Sequence, residues 1–401
     1  MERLPKGWRW VKLGDVCKKL KAGGTPSRDI QEYWDGEIPF ALVEDLTKGK
    51  YLVSASDRIT EAGLRNSSAW IVPENSILFS MYASIGEAVI NKIDVATNQA
   101  ILGMILKDKY DVEFVYYLLK YNKGNLEKYT TQTTQKNLNK LIVSEYMLLI
   151  PPLSEQQKIA EILSQIDKAI EKTEKIIEKY ERIKRGLMQE LLTKGIDEKG
   201  RIRNEKTHRF KDSPVGRIPV EWDVKKLGEV AILKNGKSPK FATYGNYPIF
   251  GSNGLIGFSK SYFLDGEFIL IGRVGASGEI HLVSGKFWAS DNCLICFFKE
   301  RSVELKFLYY LLKYINLKKF INYTAQPLIT QSFISNLFIP LPPPPEQQKI
   351  AEILSQIDKV IEKEQKYKEK LERIKRGLME DLLTGKVRVI NIIEEGKDAS
   401  S

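Results

Sequence analysis

Glu155-Gln-Gln-Lys-Ile-Ala-Glu-Ile-Leu-Ser-Gln-Ile-Asp-Lys168 returns without a change as Glu346 to Lys359, 191 positions further on. The same offset aligns Arg182-Ile-Lys-Arg-Gly-Leu-Met188 with Arg373 to Met379 and Leu191-Leu-Thr193 with Leu382 to Thr384, so about forty residues repeat without a gap. Further out the offset drifts. Phe114-Val-Tyr-Tyr-Leu-Leu-Lys-Tyr121 answers to Phe307-Leu-Tyr-Tyr-Leu-Leu-Lys-Tyr314, and Trp8, Leu13, Gly14 and Val16 answer to Trp222, Leu227, Gly228 and Val230. The repeating unit is therefore half of the chain, with a constant part and a part whose length and sequence differ between copies.

The constant part reads as a long helix. In the first copy Ile159, Leu163, Ile166, Ile170, Thr173, Ile177, Tyr180, Leu187 and Leu191 fall at alternating spacings of four and three, with Lys184 off the pattern. That spacing places them on one seam of a coiled coil. Ser154 followed by Gln157 predicts a capping box, and Gly195 predicts the stop. The second helix opens after Leu341-Pro-Pro-Pro-Pro345, since proline fits a first helical turn but cannot continue a helix from upstream. Each helix spans about 60 Å at ~1.5 Å per residue. Neither has enough apolar surface to stand alone, so the two are expected to pack on each other, antiparallel.

The variable parts read as α+β. Short β-like runs at 76–80, 100–106, 268–272 and 292–298 are separated by Gly, Pro, Asn and Asp, with one helix around 114–121 and another around 307–314. This divides the chain into a first globular domain over 1–152, a central long helix over 153–195, a linker and second globular domain over 196–343, a distal long helix over 344–386 and a tail over 387–401. The stretch 195–204, polar and charged, is expected to be a surface connection.

No apolar run is long enough for a membrane span, and the three cysteines are too few for a disulfide framework, which leads to the expectation of a cytoplasmic protein. The net charge of +11 points to a polyanionic partner. Its location is informative: residues 196–344 carry 21 Lys and Arg against 13 Asp and Glu, while the repeated helices are nearly neutral.

Motifs for catalysis fail one by one. Ala231-Ile-Leu-Lys-Asn-Gly-Lys-Ser238 ends like a phosphate-binding loop but begins with Ala, and Pro239 argues against a following helix. Cys293 and Cys296 have ligand spacing, yet on a strand they face opposite sides and no second pair completes a metal site. His208 and His281 have no nucleophile or carboxylate that the sequence places beside them. No catalytic or metal-binding residue is expected.

The order of variable segment, helix, variable segment, helix, with Pro151 to Ala160 and both Arg-Ile-Lys-Arg-Gly-Leu-Met stretches, resembles the specificity subunit of Type I restriction-modification systems. Gly7-Trp8, Leu13-Gly14-Asp15, Gly23-Gly24-Thr25-Pro26-Ser27, Tyr33-Trp34-Asp35-Gly36 and Ile38-Pro39-Phe40 add to the likeness, with Ile249 to Gly254 as the matching opening in the second half. Pro39-Phe40 departs from the Pro-Trp common in that family. The resemblance implies two target recognition domains, each reading half of a bipartite site in double-stranded DNA, joined by antiparallel coiled-coil helices that set the spacing. It also implies two methyltransferase subunits and a restriction or motor subunit as partners. S-adenosylmethionine, ATP and Mg would belong to those partners and no cofactor to this chain.

Base-reading or phosphate-binding candidates near turns are Arg28, Lys48, Lys50, Arg58, Arg65, Asn98 and Gln99 in the first half. In the second they are Lys234, Lys237, Lys240, Asn253, Arg273, Lys286 and Asn292. Gly186, Leu187, Met188, Gly377, Leu378 and Met379 are candidates for docking the methyltransferase, with helix packing as the alternative. Two other functions compete with this reading: a bipartite DNA-binding regulator on a coiled-coil frame, and a nuclease with dispersed carboxylates.

Overall fold

A computed structural model of the protein describes residues 4–129, 138–299, 302–321 and 329–390. Its principal helices are α1 (Val112–Leu126), α2 (Leu153–Thr193), α3 (Leu305–Ile315) and α4 (Pro344–Leu383). Two compact units result. Unit 1 takes the chain up to Lys172 and again from Tyr367, and unit 2 takes Thr173–Lys366. The division runs through both long helices, whereas the boundaries read from sequence lie at their ends.

In unit 1 a five-stranded sheet has the order Cys17–Ala22, Ile101–Leu106, Ile77–Ser80, Ala88–Asn91, Tyr51–Leu52. Alternation decides what each face meets. Ile77 and Phe79 pack with Phe114 and Tyr117 of α1 and Ile159 and Leu163 of α2, while Leu78 packs with Leu46, Trp70 and Val89 on the other side. With both faces covered, the inner strands Ile77–Ser80, Ala88–Asn91 and Ile101–Leu106 are buried almost throughout, whereas the edge strand Cys17–Ala22 keeps Lys18, Lys19 and Lys21 exposed. A three-stranded sheet (Asp57–Ile59, Trp34–Ala41, Ala96–Thr97) and the antiparallel pair Arg9–Lys12 with Met147–Ile150 complete the unit.

Unit 2 repeats the plan with six strands in the order Ala231–Asn235, Cys293–Phe298, Leu264–Gly272, Ile280–Ala289, Tyr247–Gly251, Gly254–Ser259. Ile269 and Ile271 face α3 and the long helices, while Leu270 faces Phe287 and Ile295. Asp223–Lys226 pairs with Phe338–Leu341 as the first pair of unit 1 does. The thiols of Cys17, Cys293 and Cys296 lie in these cores, where burial pushes them up to about 12, 11 and 12.

The long helices run to 41 and 40 residues. Within each unit their segments are antiparallel. In unit 1 Asp167 meets Lys375 at 2.6 Å, and Ile159, Ala160 and Leu163 share a core with Leu382 and Leu383. In unit 2 Lys184, the residue off the seam pattern, meets Asp358, and Leu191 and Leu192 share a core with Ile350, Ala351 and Leu354.

Two expectations need correction. Helix α2 starts at Leu153, so Ser154 stands inside the first turn; the Pro152 carbonyl, preset by the proline ring, accepts from the N–H groups of Glu155 and Gln156. The stretch 195–204 is not a mere surface connection, because Ile196 and Arg203 are buried against the second repeat. Gly195 does end the helix, at φ +63°, with a Cβ-forbidding approach of Glu346 and Trp222.

Candidate nucleic-acid interface

The repeated phrase is a socket, built twice. Glu155 is buried and accepts from the Trp8 indole at 3.1 Å and from Arg388 at 2.7 and 2.8 Å. Glu346 accepts from the Trp222 indole at 3.2 Å and from Arg203 at 2.5 and 3.1 Å. The next residue ties the recognition segment's helix: Gln156 accepts from the Asp111 N–H ahead of α1, and Gln347 accepts from the Glu304 N–H ahead of α3. Each glutamine also donates to a proline carbonyl, of Pro151 or Pro342. Further along, Asp167 and Asp358 accept from the phenols of Tyr117 (2.5 Å) and Tyr310 (2.6 Å) and pair with Lys375 and Lys184. Burial, seconded by these carboxylates, raises both tyrosines and keeps them protonated donors. Glu, Gln, Ser and Asp of the phrase thus each hold a part of the globular segment that precedes them.

Unit 1 adds a network that unit 2 lacks at the matching place. The Lys50 amine donates to Glu113 at 3.0 Å, to the Tyr117 phenol at 2.9 Å and to Ser164 at 2.7 Å. Tyr51 and Ser164 also donate to Glu113. Burial pushes Lys50 down and would raise Glu113, but the hydrogen bonds from Ser164, Tyr51 and Lys50 hold Glu113 at about 2. Lys306 stands at the Glu113 position of unit 2.

The strand-end loops are matched as well. In unit 1 the N–H groups of Gly23, Gly24 and Met81 donate to the carbonyls of Ile101, Thr97 and Ala100. In unit 2 those of Gly236, Lys237 and Arg273 donate to Cys293, Ala289 and Asn292. The loop 80–87 turns through positive φ at Ala83 (58°) and Gly86 (76°), and 272–279 does so at Gly275 and Gly278 (both 79°). Only glycine takes such angles freely, so Ala83 carries strain that Gly275 does not. One backbone scaffold carries two different sets of exposed side chains.

The predicted cations distribute unevenly over this scaffold. Arg28 stacks on the Trp34 ring at 3.5 Å and pairs with Asp57, whose other oxygen accepts from the Arg58 N–H, so Arg28 and Arg58 lie together. Arg58 reaches the carbonyls of Gly36 and Glu37, Lys48 pairs with Asp45, and Arg65 stands exposed near Glu61. Lys50 lies inside, 7% exposed at its side chain and engaged as described, so it is an internal tie and not a surface contact to DNA. Asn98 accepts from the Ala100 N–H and shapes its turn, while Gln99 beside it is exposed.

In unit 2 Lys234, Lys237 and Lys286 lie over the rings of Phe297, Phe263 and Tyr262, with Lys240 and Asn253 exposed on their loops. Arg273 and Asn292 are joined by a backbone hydrogen bond of 2.8 Å. Asp291, beside Asn292, is a residue that a search for cations and amides misses; only the backbone hydrogen bonds show that it stands where Gln99 does in unit 1. Of the docking candidates, Leu378 and Met379 pack on the unit 1 core and Leu187 and Met188 on the unit 2 core, while Gly186 and Gly377 are exposed.

Comparison with known proteins decides the family. The model described as Type I restriction modification DNA specificity domain matches residues 5–182 and again 219–373. This chain belongs to that family. The two matches of the specificity domain follow the duplication read from the sequence. The Type I restriction enzyme MjaVIII specificity subunit of Methanocaldococcus jannaschii is 31% identical over 429 residues, covering 97% of this chain and 95% of that protein. The EcoprrI specificity subunit of Escherichia coli is 26% identical over 377 residues, covering 89% and 90%. The crystal structure of a Type I restriction-modification S subunit from M. genitalium shares the fold, with a TM-score of 0.65 at 19% identity over 95% of this chain and 97% of that one. No described helix is long and apolar enough to cross a membrane, and no described group of His, Cys, Asp and Glu is arranged to hold a metal.

Proposed function

We propose that this specificity-family chain is the DNA-reading subunit of a Type I restriction-modification complex, working in the cytoplasm and leaving the chemistry to partner subunits. Each unit reads one half of a bipartite site in double-stranded DNA. The observation that carries this is the pairing of two like sockets with two unlike loop sets: an invariant mount with an interchangeable reader is what two different half-sites require. Exposed cations on the loops neutralise phosphates, and the remaining polar side chains face base edges. S-adenosylmethionine is assigned to two methyltransferase subunits, and ATP and Mg to a motor subunit. The partners approach along the long helices near Gly186 and Gly377, since the adjacent leucines and methionines are used in packing.

The helices are continuous between the units' segments, so their length sets the half-site spacing. Matched insertion of one heptad after Lys172 and after Lys366 keeps the seam in register. It is expected to lengthen the gap in the recognised sequence while both half-sites stay as they are. An unchanged gap contradicts the spacer role, and DNA binding without any methyltransferase association supports the regulator instead.

A further inference from the structure

The loop scaffold places one exposed hydrogen-bonding pair at the same point in both units. In unit 1 the Thr25 hydroxyl donates to the Gln99 side-chain oxygen at 2.5 Å. In unit 2 the Ser238 hydroxyl donates to a carboxylate oxygen of Asp291 at 3.0 Å. The backbone bonds show the equivalence: Gly23 and Gly24 stand before Thr25 as Gly236 and Lys237 stand before Ser238, and they bind the same positions of the partner loop. That loop turns alike in both copies, with the Ala100 N–H donating to Asn98 and the Asn292 N–H to Ser290.

What differs is the chemistry presented. An amide held through its oxygen keeps one acceptor lone pair and two N–H donors, the set that matches N6 and N7 of adenine in the major groove. A carboxylate held through one oxygen is acceptor-only, and matches the N4 amine of cytosine. A carboxylate repels phosphates, so Asp291 has no use as a backbone contact, and the exposed Lys237, whose N–H binds the Ala289 carbonyl of the same loop, supplies that attraction instead. The hydroxyls of Thr25 and Ser238 fix the rotamer of each reader before DNA arrives, which lowers the cost of ordering it on binding.

Resting on the DNA-reading function above, we infer that Gln99 and Asp291 are equivalent specificity-determining residues. Gln99 selects an adenine in one half-site, Asp291 selects a cytosine in the other, and Thr25 and Ser238 are the positioning residues behind them.

The test is selection from a random-sequence duplex library by the full chain assembled with its methyltransferase, comparing wild type with Gln99→Glu and Asp291→Asn. The wild type selects a gapped motif with adenine and cytosine at the respective positions. Gln99→Glu moves the preference at one base pair of one half-site from adenine to cytosine, and Asp291→Asn moves one base pair of the other from cytosine to adenine. Each shift is on the order of ten- to a hundredfold, and the opposite half-site does not change. Thr25→Val and Ser238→Ala weaken discrimination at the same base pairs without changing the preferred base. Both residues are exposed, and circular dichroism verifies folding.

If the wild type selects a gapped motif and both variants select that same motif, the inference is overturned and the proposed function stands. An affinity that falls evenly across all sequences in both variants overturns it in the same way. If the wild type selects no gapped motif, the proposed function itself fails.

Discussion

The two units share their sockets but not the way each socket is closed. Glu346 in unit 2 is closed by Arg203, whose side chain is 9% exposed and comes from the connection that leads directly out of α2. Glu155 in unit 1 is closed by Arg388, 23% exposed, from the chain beyond α4. Unit 1 compensates with the Lys50, Glu113, Ser164 and Tyr51 network, where unit 2 has Lys306. The repeat thus specifies which groups must be satisfied, while each half finds its own donors.

The largest expected effect separates the two closures. Glu346→Ala leaves Arg203 and the Trp222 indole buried without their acceptor and costs about 4 kcal/mol, by the usual penalty for breaking a buried pair. Glu155→Ala costs about 3 kcal/mol, because Arg388 regains water more easily. Hydrogen exchange resolved to α3 and α1 checks both; equal losses would erase the contrast. Next comes Lys50→Met, expected to loosen α1 by about 2 kcal/mol and to be partly relieved by Glu113→Gln in the same chain. Additive losses would mean that Lys50 and Glu113 do not act together.

A pH experiment sharpens the same point. Glu113 has a folded value of about 2, below its ordinary 4.5. The unfolded chain therefore binds the extra proton first, and the stability that ionised Glu113 contributes is full above about 4.5 and disappears as pH falls through about 2. The stability difference between wild type and Glu113→Gln is expected to close over that window in unit 1, with no counterpart in unit 2. A gap that persists at pH 2 would contradict it. The smallest effect is that of Tyr310→Phe, about 1 kcal/mol for the lost hydrogen bond to Asp358 and the longer one to Ser355 at 3.3 Å. Tyr117→Phe costs more, since its oxygen also receives Lys50.

The duplication, the long helices and the α+β halves were legible because periodicity and verbatim repetition are one-dimensional signals. The meaning of the repeated letters was not. Glu155, Gln156, Ser164 and Asp167 read as the polar face of a helix, and only their distant partners Trp8, Asp111, Lys50 and Lys375 show that they are attachments, the first three buried and Asp167 partly so. Lys50 looked like a surface cation for the same reason: its charge is visible in sequence, whereas the enclosure formed by Glu113, Tyr117 and Ser164 is a matter of tertiary packing. The Gln99 and Asp291 equivalence needed backbone hydrogen bonds, since the loops before them differ in length and sequence.

The most direct test of two unlike readers on like mounts is to map methylated adenines in cells that express this chain with its methyltransferase. The expected result is one gapped motif with two dissimilar half-sites and methylated adenines on opposite strands. A continuous motif, or DNA left unmethylated by the assembled complex, would contradict it.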